Sequence, residues 1–162
     1  MKTIAHIFSA LLLLILFACG GNSNTANVTI PGSQPAQTQP ATPPNDGKGV
    51  GEITSVSLND PLDATMINRG KGVYEMKCAA CHKLSAQRVV GPGWQGLTTK
   101  RKPEWIMNMI TNVDIMLEQD PTAQALLKEC LVRMPNQNLS IGDARDVLEF
   151  MYDNDKQTAA GQ

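Results

Sequence analysis

Apolar positions in this chain occur first as one unbroken run, Ala10 to Phe17, and afterwards mainly at helical spacing. The run is too short to span a bilayer as a mature helix. With Lys2 ahead of it, it reads as the core of an export signal over residues 1–18. Residues 19–60 carry no such periodicity. Five of the ten prolines fall between Pro31 and Pro44, among Gly, Ser, Thr, Asn and Gln. A stretch of this kind buries too little apolar surface to fold, and as a coil it spans roughly 30–40 Å.

From residue 61 the pattern becomes helical. Asp60 is a suitable cap and Pro61 a suitable first position for a helix carrying Leu62, Met66, Gly70, Val73 and Tyr74 on one face. Pro103 opens a second helix with Ile106, Met109, Ile110 and Val113 at i, i+3, i+4 and i+7. Asp120-Pro121 opens a third with Ala123, Leu126, Leu127 and Cys130, which makes Cys130 a small core residue. A fourth starts at Ser140, with Asp143 completing a capping-box variant and Ala144, Val147, Leu148 and Met151 forming the buried stripe. The spacing therefore predicts an all-α domain of about four helices over residues 61–156, with a frayed tail at 157–162. Between the helices, Val89 to Leu97 is broken by Gly91, Pro92, Gly93 and Gly96 into a tight loop, and Arg133 to Asn138 is a polar loop.

The first helix runs into Cys78-Ala79-Ala80-Cys81-His82. Two thiols three positions apart with a histidine directly after them form the attachment pattern for c-type haem. One helix-like turn puts both sulfurs on one edge, where each can add across a vinyl group, and His82 then offers the iron an imidazole nitrogen. A redox dithiol would need a strand–helix–strand setting, which is absent from the sequence pattern. A zinc site completed by Cys130 would need adjacent Cys81 and His82 to share a tetrahedron. A haem also changes the meaning of the composition. Aromatic content of 4% is thin for a self-sufficient core, and a flat apolar cofactor supplies the missing mass.

With a haem in place the loops acquire roles. A proline carbonyl, that of Pro92, can accept the Nδ1–H of His82 and fix its tautomer, and Trp94 can cover the ring edge. A second iron ligand has few candidates. His6 is removed with the signal and lysine is protonated, so the methionines remain. Met76 lies too near Cys78. Met66, Met107, Met109 and Met151 belong to helical faces. Met116 sits in an expected loop and competes with Met134, which lies 52 residues after His82 and is stiffened by Pro135. Asn136 or Asn138 can donate to the sulfur or to a propionate.

Leu16-Phe17-Ala18-Cys19 resembles a bacterial lipobox, which implies a lipidated Cys19, a membrane anchor and an exported, periplasmic location. From Pro61 to about Asp155 the chain resembles a class I monohaem cytochrome c. The resemblance rests on Gly70 and Tyr74 before Cys78, on Gly91-Pro92 and Gly96-Leu97 as the loop beyond the haem motif, on Met134-Pro135, and on the last helix through Phe150-Met151. It implies the small cytochrome c fold around one covalent haem c with its iron. It also implies Pro92 as acceptor for His82, Met134 as distal ligand, and an electron carrier rather than an enzyme. The segment Thr111–Val132 looks additional to a minimal member.

Net charge is −1 and names no partner; nucleic acid is not expected. The charges are divided along the chain, however. Residues 69–102 carry eight basic side chains and one acid, and residues 103–162 four basic and ten acidic. If the halves stay apart in space, the first offers a basic face to redox proteins with an acidic docking face. The rival functions are a five-coordinate haem sensor or peroxidase-like enzyme, in which Met134 leaves the iron free, and a zinc-stabilised interaction module.

Overall fold

A computed structural model describes residues 46–130 and 132–161. The export signal, Cys19 and most of the expected linker lie outside the described residues. Six helices are present among them: α1 (Ala64–Lys77), α2 (Leu97–Lys100), α3 (Pro103–Thr111), α4 (Val113–Gln119), α5 (Pro121–Cys130) and α6 (Ile141–Ala160). No strand forms among these residues; one isolated bridge pairs His82 with Arg88. The fold is all-α as expected, with six helices in place of about four. The additions are the single turn α2 and the break at Asn112, which divides the second expected helix into α3 and α4.

The first helix begins later than Asp60-Pro61. Its cap is Asp63, whose carboxylate accepts the Met66 amide at 2.8 Å. The last helix starts where the pattern places it. Ser140 accepts from the Asp143 amide at 3.1 Å, and the Asp143 side chain returns to the Ser140 amide. This helix continues through the expected tail to Ala160. Helices α1 and α6 pack on each other, with Gly70 facing the α6 backbone and Arg69 forking onto Asp146 at 2.6 and 2.7 Å.

The expected linker ends earlier than residue 60. Residues 46–59 form a strap on the outer side of α3 and α4. Asn108, 1% exposed, accepts the Ile53 amide and donates to the Lys48 and Ile53 carbonyls. Asn112 donates to the Val50 carbonyl. Met116 is in a helix, not a loop, and is fully buried; its sulfur accepts the Val50 amide at 3.0 Å. Val50, Ile53 and Val56 pack against the core. One side-chain amide thus satisfies several main-chain groups that a strap without secondary structure would otherwise leave unpaired.

Glu149 fastens the end of the strap to α6. It is wholly buried and accepts from Asn59, from the Asp63 amide and from Arg145. Burial pushes this carboxyl up, but the three donors together outweigh burial and hold it below the ordinary glutamate value. A group depressed on folding contributes stability that is present above its unfolded pKa and is lost as pH falls through the folded value. Glu149→Ala, which leaves Arg145 without its buried partner, is expected to cost about 3–5 kcal/mol in denaturant unfolding at neutral pH. Glu149→Gln should flatten the acid limb of the stability curve. An unchanged acid limb in that variant would assign the acid sensitivity to other carboxylates.

Candidate functional site

The end of α1 turns directly into the two-thiol motif. The amides of Cys78 and Ala79 both donate to Tyr74, and those of Cys81 and His82 both donate to the Cys78 carbonyl. The result is one tight turn after the helix, the local form the three-residue spacing predicts. Burial pushes the Cys78 thiol up to about 11, aided by Cys81 and against the pull of Lys77.

His82 is held from four directions. Its Nδ1 lies 2.8 Å from the Pro92 carbonyl, so this nitrogen carries the proton and Nε2 is left as the ligating nitrogen. Tyr74 donates its hydroxyl to the His82 carbonyl at 2.9 Å. Gly91 abuts the imidazole: a Cβ there would come within 2.4 Å of the His82 ring. Trp94, 5% exposed, packs behind, its ring 5.9 Å from His82 and 4.8 Å from Tyr74. The expected Pro92 contact is present. Trp94 buttresses His82 from within the core; it is not among the residues lining the cavity described next.

That cavity opens beside the motif. Cys81, His82 and Pro92 form one side, and Met134 and Pro135 another. Helices α3, α4 and α5 close it with Met109, Leu117, Ala123, Leu126, Leu127 and Cys130. The additional segment of the chain therefore has a use. The apolar face of α5 lines the cavity, with Ala123 buried and Leu126 and Leu127 half-buried, and Cys130, read from sequence as a core residue, borders it. A flat apolar macrocycle fits this lining, which includes one of the two motif thiols, Cys81, together with the His82 imidazole and the Met134 thioether, while Cys78 lies just outside it. Met116, the rival thioether, belongs to the strap side and does not reach the cavity.

Asn136 and Asn138 do not reach the cavity either. Asn136 accepts the Asn138 amide at 2.8 Å, and Asn138 adopts a left-handed φ of 51°. The pair shapes the turn after Met134-Pro135. Zinc finds no site: among the described residues no group of three or more His, Cys, Asp or Glu is arranged to hold a metal ion, and the Cys130 sulfur faces Arg88 at 3.1 Å. Nor do the two charge segments form two faces. Arg69 pairs with Asp146 and Arg88 with Glu129, so basic and acidic stretches interleave.

Tyr74 and Gly91 were the contributions the sequence did not reveal. Tyr74 read as one apolar position of a helix, and Gly91 as a turn former. Their contacts to His82 are close in sequence, but neither a helical apolar position nor a turn glycine announces by its residue type that it touches the imidazole or its carbonyl.

Comparison with known proteins agrees with this geometry. The family model described as cytochrome c matches residues 67–154. The solved structure of cytochrome c from Rhodothermus marinus is similar, with 31% identity and a TM-score of 0.64 over 66% of this chain and 91% of that one. An engineered form of that protein, bound to a carbene intermediate, shows 30% identity and a TM-score of 0.60 over 65% and 91%. No curated protein matches the sequence.

Proposed function

The chain belongs to the cytochrome c family, binds covalent haem c with its iron and is a haem-based electron carrier, and from that premise we propose how its own residues serve the task. Cys78 and Cys81 tether the haem, His82 ligates one side of the iron through Nε2, and Met134 ligates the other. The observation that carries this reading is the cavity itself, which His82 and Met134 both line while Met116 is bonded elsewhere. The haem supplies single-electron exchange, and a histidine–methionine pair raises its potential. With both axial positions filled, no site stays open for bond chemistry, so the protein carries electrons and is not an enzyme.

We extend the proposal to the cell. Cys19 is lipidated after removal of residues 1–18, and the chain between it and the strap tethers the domain to the exported face of a bacterial membrane. Such a tether keeps the domain at high effective concentration near membrane-bound redox proteins. The partners are other redox proteins, and because basic and acidic stretches interleave, charge alone does not select one with an acidic docking face. The pairing of Arg88 with Glu129 and of Arg133 with Asp114 beside the cavity keeps the salt dependence of docking modest.

One measurement tests both parts. The intact mass of the mature wild-type protein should equal the chain from Cys19 plus one haem and a diacylglyceryl group. In Cys78→Ala with Cys81→Ala the haem mass should disappear from the denatured chain while the lipid mass remains. Haem that dissociates from denatured wild type would remove the covalent claim for these thiols. An unmodified N-terminus would remove the anchor.

A further inference from the structure

Haem c carries two propionate groups besides its apolar ring, and burying a carboxylate beside an apolar wall is costly unless a donor meets it. The cavity offers few donors. Its lining is aliphatic, proline, glycine and thiol, apart from His82 and one cation, Arg133. The amides that might serve are largely committed. Those of Cys81 and His82 donate to Cys78, that of Gly91 to Cys81, that of Ala123 to Asp120, and Met109, Leu117, Leu126, Leu127 and Cys130 lie within helices. The other arginine near the cavity, Arg88, is engaged by the Glu129 carbonyl and carboxylate and by the Cys130 sulfur.

We propose that Arg133 binds a haem propionate. The assignment rests on the haem reading above and adds to it a residue for the polar end of the cofactor. Among the described residues Arg133 makes a single bond, from Nη2 to Asp114 at 2.9 Å. Both partners of that pair are well exposed, so the pair itself is weak. Asp114, at the start of α4, positions the guanidinium, whose planar fork has donors on more than one edge and can take a second carboxylate in bidentate fashion. The residue directly precedes Met134. The same short segment then presents the sulfur to the iron and a cation to the acid group, tying the distal loop to the haem at two points.

The test uses purified wild type and four variants carrying haem: Arg133→Gln, Arg133→Lys, Asp114→Asn and Arg88→Gln. The readouts are the propionate-bending band in the resonance Raman spectrum and the reduction potential. Arg133→Gln should shift the band and lower the potential, because loss of a nearby cation favours the oxidised iron. Arg133→Lys should keep most of the potential and still shift the band, since the charge stays and the fork does not. Arg88→Gln should leave the band in place, and Asp114→Asn, which frees the guanidinium from its positioning carboxylate, should shift it less than Arg133→Gln does. A band unchanged in both Arg133 variants overturns the proposal, and so does a shift found with Arg88→Gln instead. The far-red sulfur-to-iron band, recorded on the same samples, reports Met134 separately, so failure of the ligand assignment is not mistaken for failure of this one. Should Arg133→Gln not load haem, Arg133→Lys alone decides.

Discussion

Met134→Ala is expected to abolish the weak far-red sulfur-to-iron band of the oxidised protein, to lower the reduction potential, and to open the reduced iron to carbon monoxide. The reason is geometric. Met134 lines the cavity together with His82, on a loop stiffened by Pro135, and its loss leaves the distal position with no sulfur ligand from that loop. Met116→Ala is the informative partner. Met116 is fully buried and its sulfur holds the Val50 amide, so truncation should cost about 2–5 kcal/mol of stability while leaving the far-red band and the potential in place. The two methionines thus separate by observable: one changes spectrum and potential, the other the unfolding curve. The opposite assignment of effects would make Met116 the ligand. A wild-type protein that lacks the far-red band and takes up carbon monoxide freely would instead establish the five-coordinate alternative.

Gly70→Ala is expected to be among the most damaging single changes to the fold. A Cβ at this position would lie 2.1 Å from the Asp146 carbonyl oxygen and 2.9 Å from the Val147 nitrogen, all backbone of α6. No rotamer change relieves that contact, so α1 and α6 must separate, at a cost of about 3 kcal/mol, the upper part of the usual range for overpacking, in spite of the better helix propensity of alanine. For a domain of this size the melting temperature should fall by about 12–24 °C. The neighbouring glycine provides the control. A Cβ on Gly72 meets nothing within 4 Å, so Gly72→Ala should raise stability by about 0.5–1 kcal/mol. If both variants melt alike, the crossing is more compliant than its geometry implies.

What could be read along the chain was what depends on near neighbours. The Ser140–Asp143 cap, the turn from Cys78 to His82 and most of the apolar stripes are set by residues three to five positions apart and are kept in the structure, although Leu62 falls before α1 and neither it nor Met66 joins the core. The Pro92 contact to His82 was also legible, because Pro92 follows His82 by only ten positions across a glycine turn. The strap was hidden for a different reason. Val50, Ile53 and Val56 are sparse in a polar stretch, and the strap is held by Asn108 and Met116, a polar and an apolar residue whose helical positions say nothing about a main chain some sixty residues away. Met116 looked like a loop residue because the break at Asn112 and the start of α5 at Pro121 leave a segment too short for periodicity to show. Trp94 was placed at the ring edge because a loop tryptophan next to a glycine suggests a cover, whereas the space behind His82 and Tyr74 takes it inward.

The confinement of His82 has a kinetic meaning. Held by Pro92 at one nitrogen, faced by Gly91, backed by Trp94 and fixed at its main chain by Tyr74, the imidazole has almost no room to tilt or withdraw. A ligand that is already where both oxidation states need it pays no reorganisation when the charge on the metal changes. On the ligation proposed above, electron exchange would be paced by distance to the partner and by driving force, and substitutions that loosen the ring, such as a larger residue at 91, are expected to slow the exchange even where the equilibrium potential scarcely moves.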